Sequence, residues 1–271
     1  MTPEKDYVLG THDEELLRLG LQHRVWRPKM LEAWIAAGIT SGSRVLDLGC
    51  GPGYASFDLS EIVGSGGSVL GVERSARFVS FAREESARRG LRNTRFLEAD
   101  LAQPLALPEV VDVLWCRWVA SFVTDLPRLV RTVHAALRPG GRAVFHEYVN
   151  YATWRTIPRS IPVEDFVAEV MESWRASGGE PDIAYALLPA LRLAGLEVVD
   201  AQPIIFSVGP GNYIWQWPSA FLRSNLKRLV DSGRRDRAWA AEVLRSFGEL
   251  EQSPDALMLT PMLLQVIARK R

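Results

Sequence analysis

Val45-Leu46-Asp47-Leu48-Gly49-Cys50-Gly51-Pro52-Gly53 is the stretch that decides the fold. Apolar residues around Asp47 read as a short buried strand, the glycines end it, and the sequence from Tyr54 reads as a helix. A strand that passes through glycines into a helix leaves bare backbone amides at the carboxyl edge of a sheet, where ligands of open α/β sheets bind. Without Cβ atoms the glycines let the backbone approach a ligand closely, and amides at a helix start receive a carboxylate or phosphate.

Working outward, short apolar runs alternate with longer amphipathic ones. Strands are expected at Arg44–Leu48, Ser68–Glu73, Thr94–Glu98, Val111–Cys116 and Gly141–Tyr148, and helices from Tyr54, at Ala76–Arg89 and at Asp125–Leu137. This alternation predicts an α/β fold, a parallel sheet with helices on both faces. SGS at 41–43, GSGG at 64–67 and RPGG at 138–141 punctuate it as turns. Upstream, Leu16, Leu17, Leu19, Val25, Met30, Leu31, Trp34 and Ile35 are spaced for a helical arm, with a kink or break before Pro28. Downstream come an aromatic loop, helices near Val163–Ser177 and Ile183–Ala194, a strand near Glu197–Val208, a helical stretch and a closing strand at Met262–Ala268.

The glycine loop alone suits several cofactors, and the acids around it discriminate. A dinucleotide fingerprint reads G-x-G-x-x-G/A, but counting from Gly49 ends on Tyr54 and from Gly51 on Ser56, so the nicotinamide reading loses ground. Asp47 adds a carboxylate at the strand end that repels a pyrophosphate and attracts a cationic amino group. Glu73 ends the second strand, where an acid accepts hydrogen bonds from both hydroxyls of a ribose. Asp100 follows the third strand, in position to accept from an adenine amino group.

VLDLGCGPG, GVERS, EADL and LRPGG stand in the order and spacing of the class I S-adenosylmethionine (SAM) dependent methyltransferases, which the chain resembles from Arg44 to Tyr148. The resemblance implies a Rossmann-like, seven-stranded, mostly parallel sheet. It implies a cofactor site in which the loop of Asp47, Gly49, Gly51 and Gly53 holds the methionine part, Glu73 and Arg74 the ribose side, and Asp100 with Leu101 the adenine. The product would be S-adenosylhomocysteine (SAH). N-terminal arms cover the cofactor in similar small-molecule enzymes, which puts Tyr7 and Trp26 against it. One departure stands out: the family's last two strands usually form a hairpin, and here Gly209–Thr260 intervenes, as a lid, cap or dimer contact. The expected organisation is an arm at 1–40, a cofactor-binding core at 41–208 with a helical segment at 155–194, a helical cap at 209–260, and the last strand at 261–271.

Methyl transfer from a sulfonium is an in-line displacement, so the protein has to align the reactants, exclude water and accept a proton where the acceptor carries one. Arg117, after the fourth strand, would hold the cofactor or orient an acidic acceptor, or form a plain salt bridge. His146 and Glu147 end the fifth strand, where alternation sends them to opposite faces, and either is a candidate general base. His12, His23 and His134 are weaker candidates by position. Tyr148, Tyr151 and Trp154, with Trp215 and Trp217 in the insertion, are the aromatic residues expected to line an apolar acceptor pocket, against the plainer reading that they pack the core.

The 271 residues carry 32 basic and 32 acidic side chains, without the basic surplus of nucleic-acid-binding proteins. Cys50 and Cys116 form no ligand or disulfide pattern, so no metal is expected and a reducing cytoplasm fits. No apolar run approaches membrane-spanning length, and the basic stretch Arg223–Arg237 reads as a solvated helix face. The leading expectation is a methyltransferase, monomer or homodimer, acting on a small, fairly hydrophobic acceptor at oxygen, nitrogen or carbon. Competing expectations are a protein or RNA methyltransferase and a SAM-binding protein that transfers no methyl.

Overall fold

The computed structural model describes residues 13–271 apart from Pro104, Ala106 and Pro108; Tyr7 and His12 lie outside the described residues. In chain order the elements are α1 (Asp13–Ala36), β1 (Arg44–Leu48), α2 (Tyr54–Val63), β2 (Ser68–Glu73), α3 (Ala76–Arg88), β3 (Thr94–Glu98), β4 (Val111–Arg117), α4 (Leu126–Ala136), β5 (Leu137–Asn150), β6 (Arg155–Ile157), α5 (Ile161–Ala176), α6 (Ala184–Leu193), β7 (Leu196–Ile204), β8 (Ser207–Val208), α7 (Gln216–Asp231), α8 (Arg237–Gln252), β9 (Leu257–Leu259) and β10 (Met262–Lys270). Several helices start on a side chain that takes an otherwise unpaired backbone amide: Ser75 accepts from Phe78 and Asp125 from Arg128. The break expected before Pro28 does not occur; α1 runs through it, and burial of Trp26, Met30, Ala33 and Trp34 offsets the amide that proline removes.

Contacts group the described chain into two units, one of residues 26–147, 182–203 and 264–271, the other of 13–25, 148–181 and 204–263. The first contains the large sheet, seven strands in the order β3-β2-β1-β4-β5-β10-β7. The β3-β2, β2-β1, β1-β4 and β4-β5 pairs are all parallel, the architecture expected from the alternation of strands and helices. On one face Leu46, Leu48, Leu114, Cys116 and Phe145 meet Leu129, Val130 and Val133 of α4 and Leu187 and Leu191 of α6. The other face carries Asp47, Trp115 and Val144 in one register row. Strand β5 already begins at Leu137: Leu137 pairs with Val111 and Arg142 with Val113, so the RPGG turn is a bulge within the strand, with Gly140 at φ 75°.

The second unit holds a small antiparallel sheet in the order β6-β9-β8 with α5, α7 and α8. The strand expected over Glu197–Val208 is divided: β7 joins the large sheet and β8 pairs with β9. Thr260 explains the division, since its amide donates to the Phe206 carbonyl and its hydroxyl accepts from the Phe206 amide, both at 3.0 Å. Helix α5 buries Val163, Phe166, Val170 and Trp174 in a unit with α7 and α8, whereas α6 belongs with the large sheet.

Candidate functional site

The glycine loop has the backbone its sequence predicts, with Gly49 at φ 72°, Gly51 at 53° and Gly53 at 85°. Gly49 and Cys50 both donate their amides to the Val72 carbonyl, at 2.8 and 3.0 Å, which ties the end of β1 to β2. Two glycines are there for different reasons. A Cβ on Gly49 would collide with Val119, whereas a Cβ on Gly51 would meet nothing within 4 Å and would occupy open space above the loop. Gly53 begins α2 without a side-chain cap, leaving the first amides of that helix directed at the same edge.

Asp47 is 2% exposed and accepts a hydrogen bond from Ser56 Oγ at 2.6 Å. Burial pushes its carboxyl up to about 6, while the Ser56 hydroxyl and the Arg117 charge pull the other way. Glu73 is fastened to the loop: Oε2 accepts the Gly51 amide at 3.1 Å and Oε1 the amides of Arg74 and Ser75 at 2.9 and 3.0 Å. A carboxylate offers about four acceptor positions, so Glu73 keeps one on Oε2 for an incoming hydroxyl. Asp100 is exposed, accepting the Ala102 amide at 2.9 Å, and Leu101 packs at the border of the core. Arg74 reaches this edge through its backbone, its side chain being exposed. A buried acid for an ammonium beneath a loop with open space above Gly51 fits the methionine part of SAM, and an acid with a free acceptor position fits its ribose.

Register places Arg117 beside His146, one pleat beyond Trp115 and on the same face as Asp47. The Arg117 guanidinium lies 4.9 Å from the Trp118 ring centroid and reaches Met30 Sδ. His146 is fully buried, its ring 4.8 Å from that of Trp115 and 6.3 Å from that of Trp26. Its Nε2 lies 3.1 Å from Gln265 Oε1. An amide oxygen only accepts, so Nε2 carries the proton and Nδ1 the lone pair; Nδ1 has no hydrogen-bond partner among the described residues. Burial pushes the imidazole down to about 3 and keeps it neutral. Glu147 is also fully buried, and its Oε1 accepts the amides of Val119 and Ala120 at 2.8 Å each. Burial raises it to about 7 against the pull of those amides.

In the helical unit Tyr148, Tyr151 and Trp154 form an edge-to-face cluster with Trp174 and Phe166, the first two rings 4.8 Å apart. Trp215 instead stacks on Phe247 at 5.6 Å, and Trp217 is buried in α7. Much of the basic stretch is ion-paired, Arg234 and Arg235 to Glu169 and Lys227 to Asp231. His134 lies near Lys270, and burial lowers its imidazole. Among the described residues no cluster of side chains could hold a metal ion, and no helix is long and apolar enough to cross a membrane.

Sequence reasoning missed Ser56, Val119 and Gln265. Gln265 left a signal, a lone polar residue in the apolar strand Met262-Leu263-Leu264-Gln265-Val266-Ile267; Ser56 and Val119 left none, because each acts through a contact distant in sequence.

The family described as "Methyltransferase domain" matches residues 39–181. The chain belongs to that family. It is similar to 2-phytyl-1,4-naphtoquinone methyltransferase of Synechococcus elongatus, 35% identical over 143 residues, 51% of this chain and 59% of that one. Demethylmenaquinone methyltransferase of Lactococcus lactis subsp. lactis is 32% identical over 126 residues, 45% of this chain and 48% of that one. The chain thus spans only about half the length of these curated relatives. Among solved structures, geranyl diphosphate methyltransferase in complex with SAM superposes with a TM-score of 0.56 at 16% identity, over 92% of this chain and 86% of that one, a likeness of fold.

Proposed function

We propose that the protein transfers the methyl group of SAM to oxygen, nitrogen or carbon of a small, fairly hydrophobic acceptor. The relatives are named for quinone substrates, and a ubiquinone/menaquinone biosynthesis relative of Cellvibrio japonicus is named as a C-methyltransferase, which favours a quinone-like ring and attack from carbon. The observation that carries the reading is the acid pair at the glycine loop: Asp47 is buried beneath it and Glu73 is bonded to its Gly51 amide.

When bound, SAM supplies a methyl carbon on a sulfonium, whose departure as a neutral thioether drives the displacement. Asp47 balances the ammonium, Glu73 accepts from the ribose, and Asp100 with Leu101 receives the adenine. Arg117 completes the cofactor side, while the fully buried Trp26 packs on Trp118 and His146. Arg74 contributes its backbone. Tyr148, Tyr151, Trp154, Trp215 and Trp217 are each 5% exposed or less and pack the helical unit, the plainer of their two readings, rather than offering a face to an acceptor. Of the two base candidates, His146 is fully buried and pushed down to about 3, too weak a base to take a proton near neutral pH.

The test is incubation with methyl-labelled SAM and panels of reduced naphthoquinones, peptides and RNA, followed by mass spectrometry of each panel. Label on the ring carbon supports the reading; label on peptide or RNA moves the protein to the macromolecular class. SAH binding with no labelled product would leave a SAM-binding protein that transfers no methyl.

A further inference from the structure

The segment after β4 is held in a conformation its sequence disfavours. Trp118 has φ 52°, the left-handed region that a bulky side chain disfavours. Three successive amides secure it against the end of β5: Trp118 donates to the His146 carbonyl at 3.0 Å, and Val119 and Ala120 donate to the Glu147 carboxylate.

Glu147 has no ion-pair partner among the described residues; the Val119 and Ala120 amides on Oε1 offset its burial, while Oε2 has no hydrogen-bond partner among those residues. An isolated buried carboxylate is costly, and a carboxylate spent on two amides fixes whatever those amides carry. What they carry is Val119, whose side chain fills the place that a Cβ on Gly49 would take. Contacts therefore run from Glu147 through Val119 to the first glycine of the loop.

We propose that Glu147 is a positioning residue: its carboxylate seats Val119 against Gly49 and so sets the form of the loop that receives the methionine part of SAM. The inference rests on the cofactor reading and replaces a proton-transfer role for Glu147.

The test is calorimetric titration with SAH, together with turnover and thermal unfolding, for the wild type, Glu147→Ala, Glu147→Gln, Val119→Ala and the double alanine variant. Loss of two charge-assisted hydrogen bonds should weaken SAH binding about tenfold in Glu147→Ala. Gln carries an oxygen able to accept the same two amides, so Glu147→Gln should keep both affinity and turnover within about threefold. Val119→Ala should bind SAH several-fold more weakly, and the double variant no more weakly than Glu147→Ala, because both act along one path.

Wild-type binding with additive losses would overturn the proposal. So would Glu147→Gln with full affinity but no turnover, which makes Glu147 the general base. If Glu147→Ala does not fold, Val119→Ala with unchanged SAH affinity overturns it alone. A wild type that binds no SAH brings down the cofactor reading and this inference together.

Discussion

The carboxyl edge of the large sheet and the aromatic interior of the helical unit are built on opposite principles. At the sheet edge the work is done by backbone: amides of Gly51, Arg74 and Ser75 on Glu73, and amides of Gly49 and Cys50 on Val72. In the helical unit it is done by side-chain volume, with Tyr148, Tyr151, Trp154, Phe166 and Trp174 meeting edge to face. A backbone-built site constrains where glycines and acids stand in the sequence. A volume-built one constrains only that large apolar side chains be present.

The largest effect expected from this contrast lies in the helical unit. Trp154 is 1% exposed, and Trp154→Ala should lower the unfolding free energy by about 3–5 kcal/mol, read by denaturant titration. SAH affinity measured on the native baseline should change far less. Should affinity fall in step with stability, the contrast between the two regions is wrong.

At the sheet edge, paired alanine substitutions sharpen the comparison. Gly49→Ala meets both a left-handed backbone and Val119, for an expected loss of about 2–4 kcal/mol in unfolding free energy. Gly51→Ala meets the backbone penalty alone, about 1–2 kcal/mol, yet puts a methyl group into open space above the loop. Gly51→Ala is therefore expected to damage SAH binding more than stability. Equal stability losses in the two variants would remove the distinction between a packing glycine and a ligand-facing one.

A smaller effect concerns Asp47, whose carboxyl titrates near 3.8 when unfolded and about 6 when folded. Below the unfolded value both states are protonated and burial carries no penalty. The penalty grows as pH rises toward 6 and is constant above it. Asp47→Asn should therefore be more stable than the wild type by about 1–3 kcal/mol at pH 8, the difference vanishing toward pH 4, while its SAH affinity drops. Denaturant midpoints across that range decide it, and a difference independent of pH would show that Asp47 is not the buried acid responsible.

The contrast also accounts for what was legible beforehand. The order of β1 to β5 followed from period-two and helical patterning, and Asp47, Glu73 and the glycines from strand-end spacing, because parallel strands fix which residues reach one edge. The continuity of α1 through Pro28 was not legible, since tertiary burial of Trp26 and Trp34 overrides a local breaker. Nor was the division at Thr260, which depends on one hydroxyl meeting the Phe206 amide between β7 and β8, 54 residues away in sequence. The partners of His146 and Glu147 were equally hidden, for alternation assigns a face and not a contact.

The most direct test of the central claim is calorimetric titration of the wild type and Glu73→Ala with SAH, NAD serving as control. The account predicts that the wild type binds SAH and not NAD, and that Glu73→Ala folds normally but loses about 1–3 kcal/mol of binding free energy. A wild type that ignores SAH, or a Glu73→Ala variant that binds it unchanged, would contradict the assignment of this sheet edge as the cofactor site.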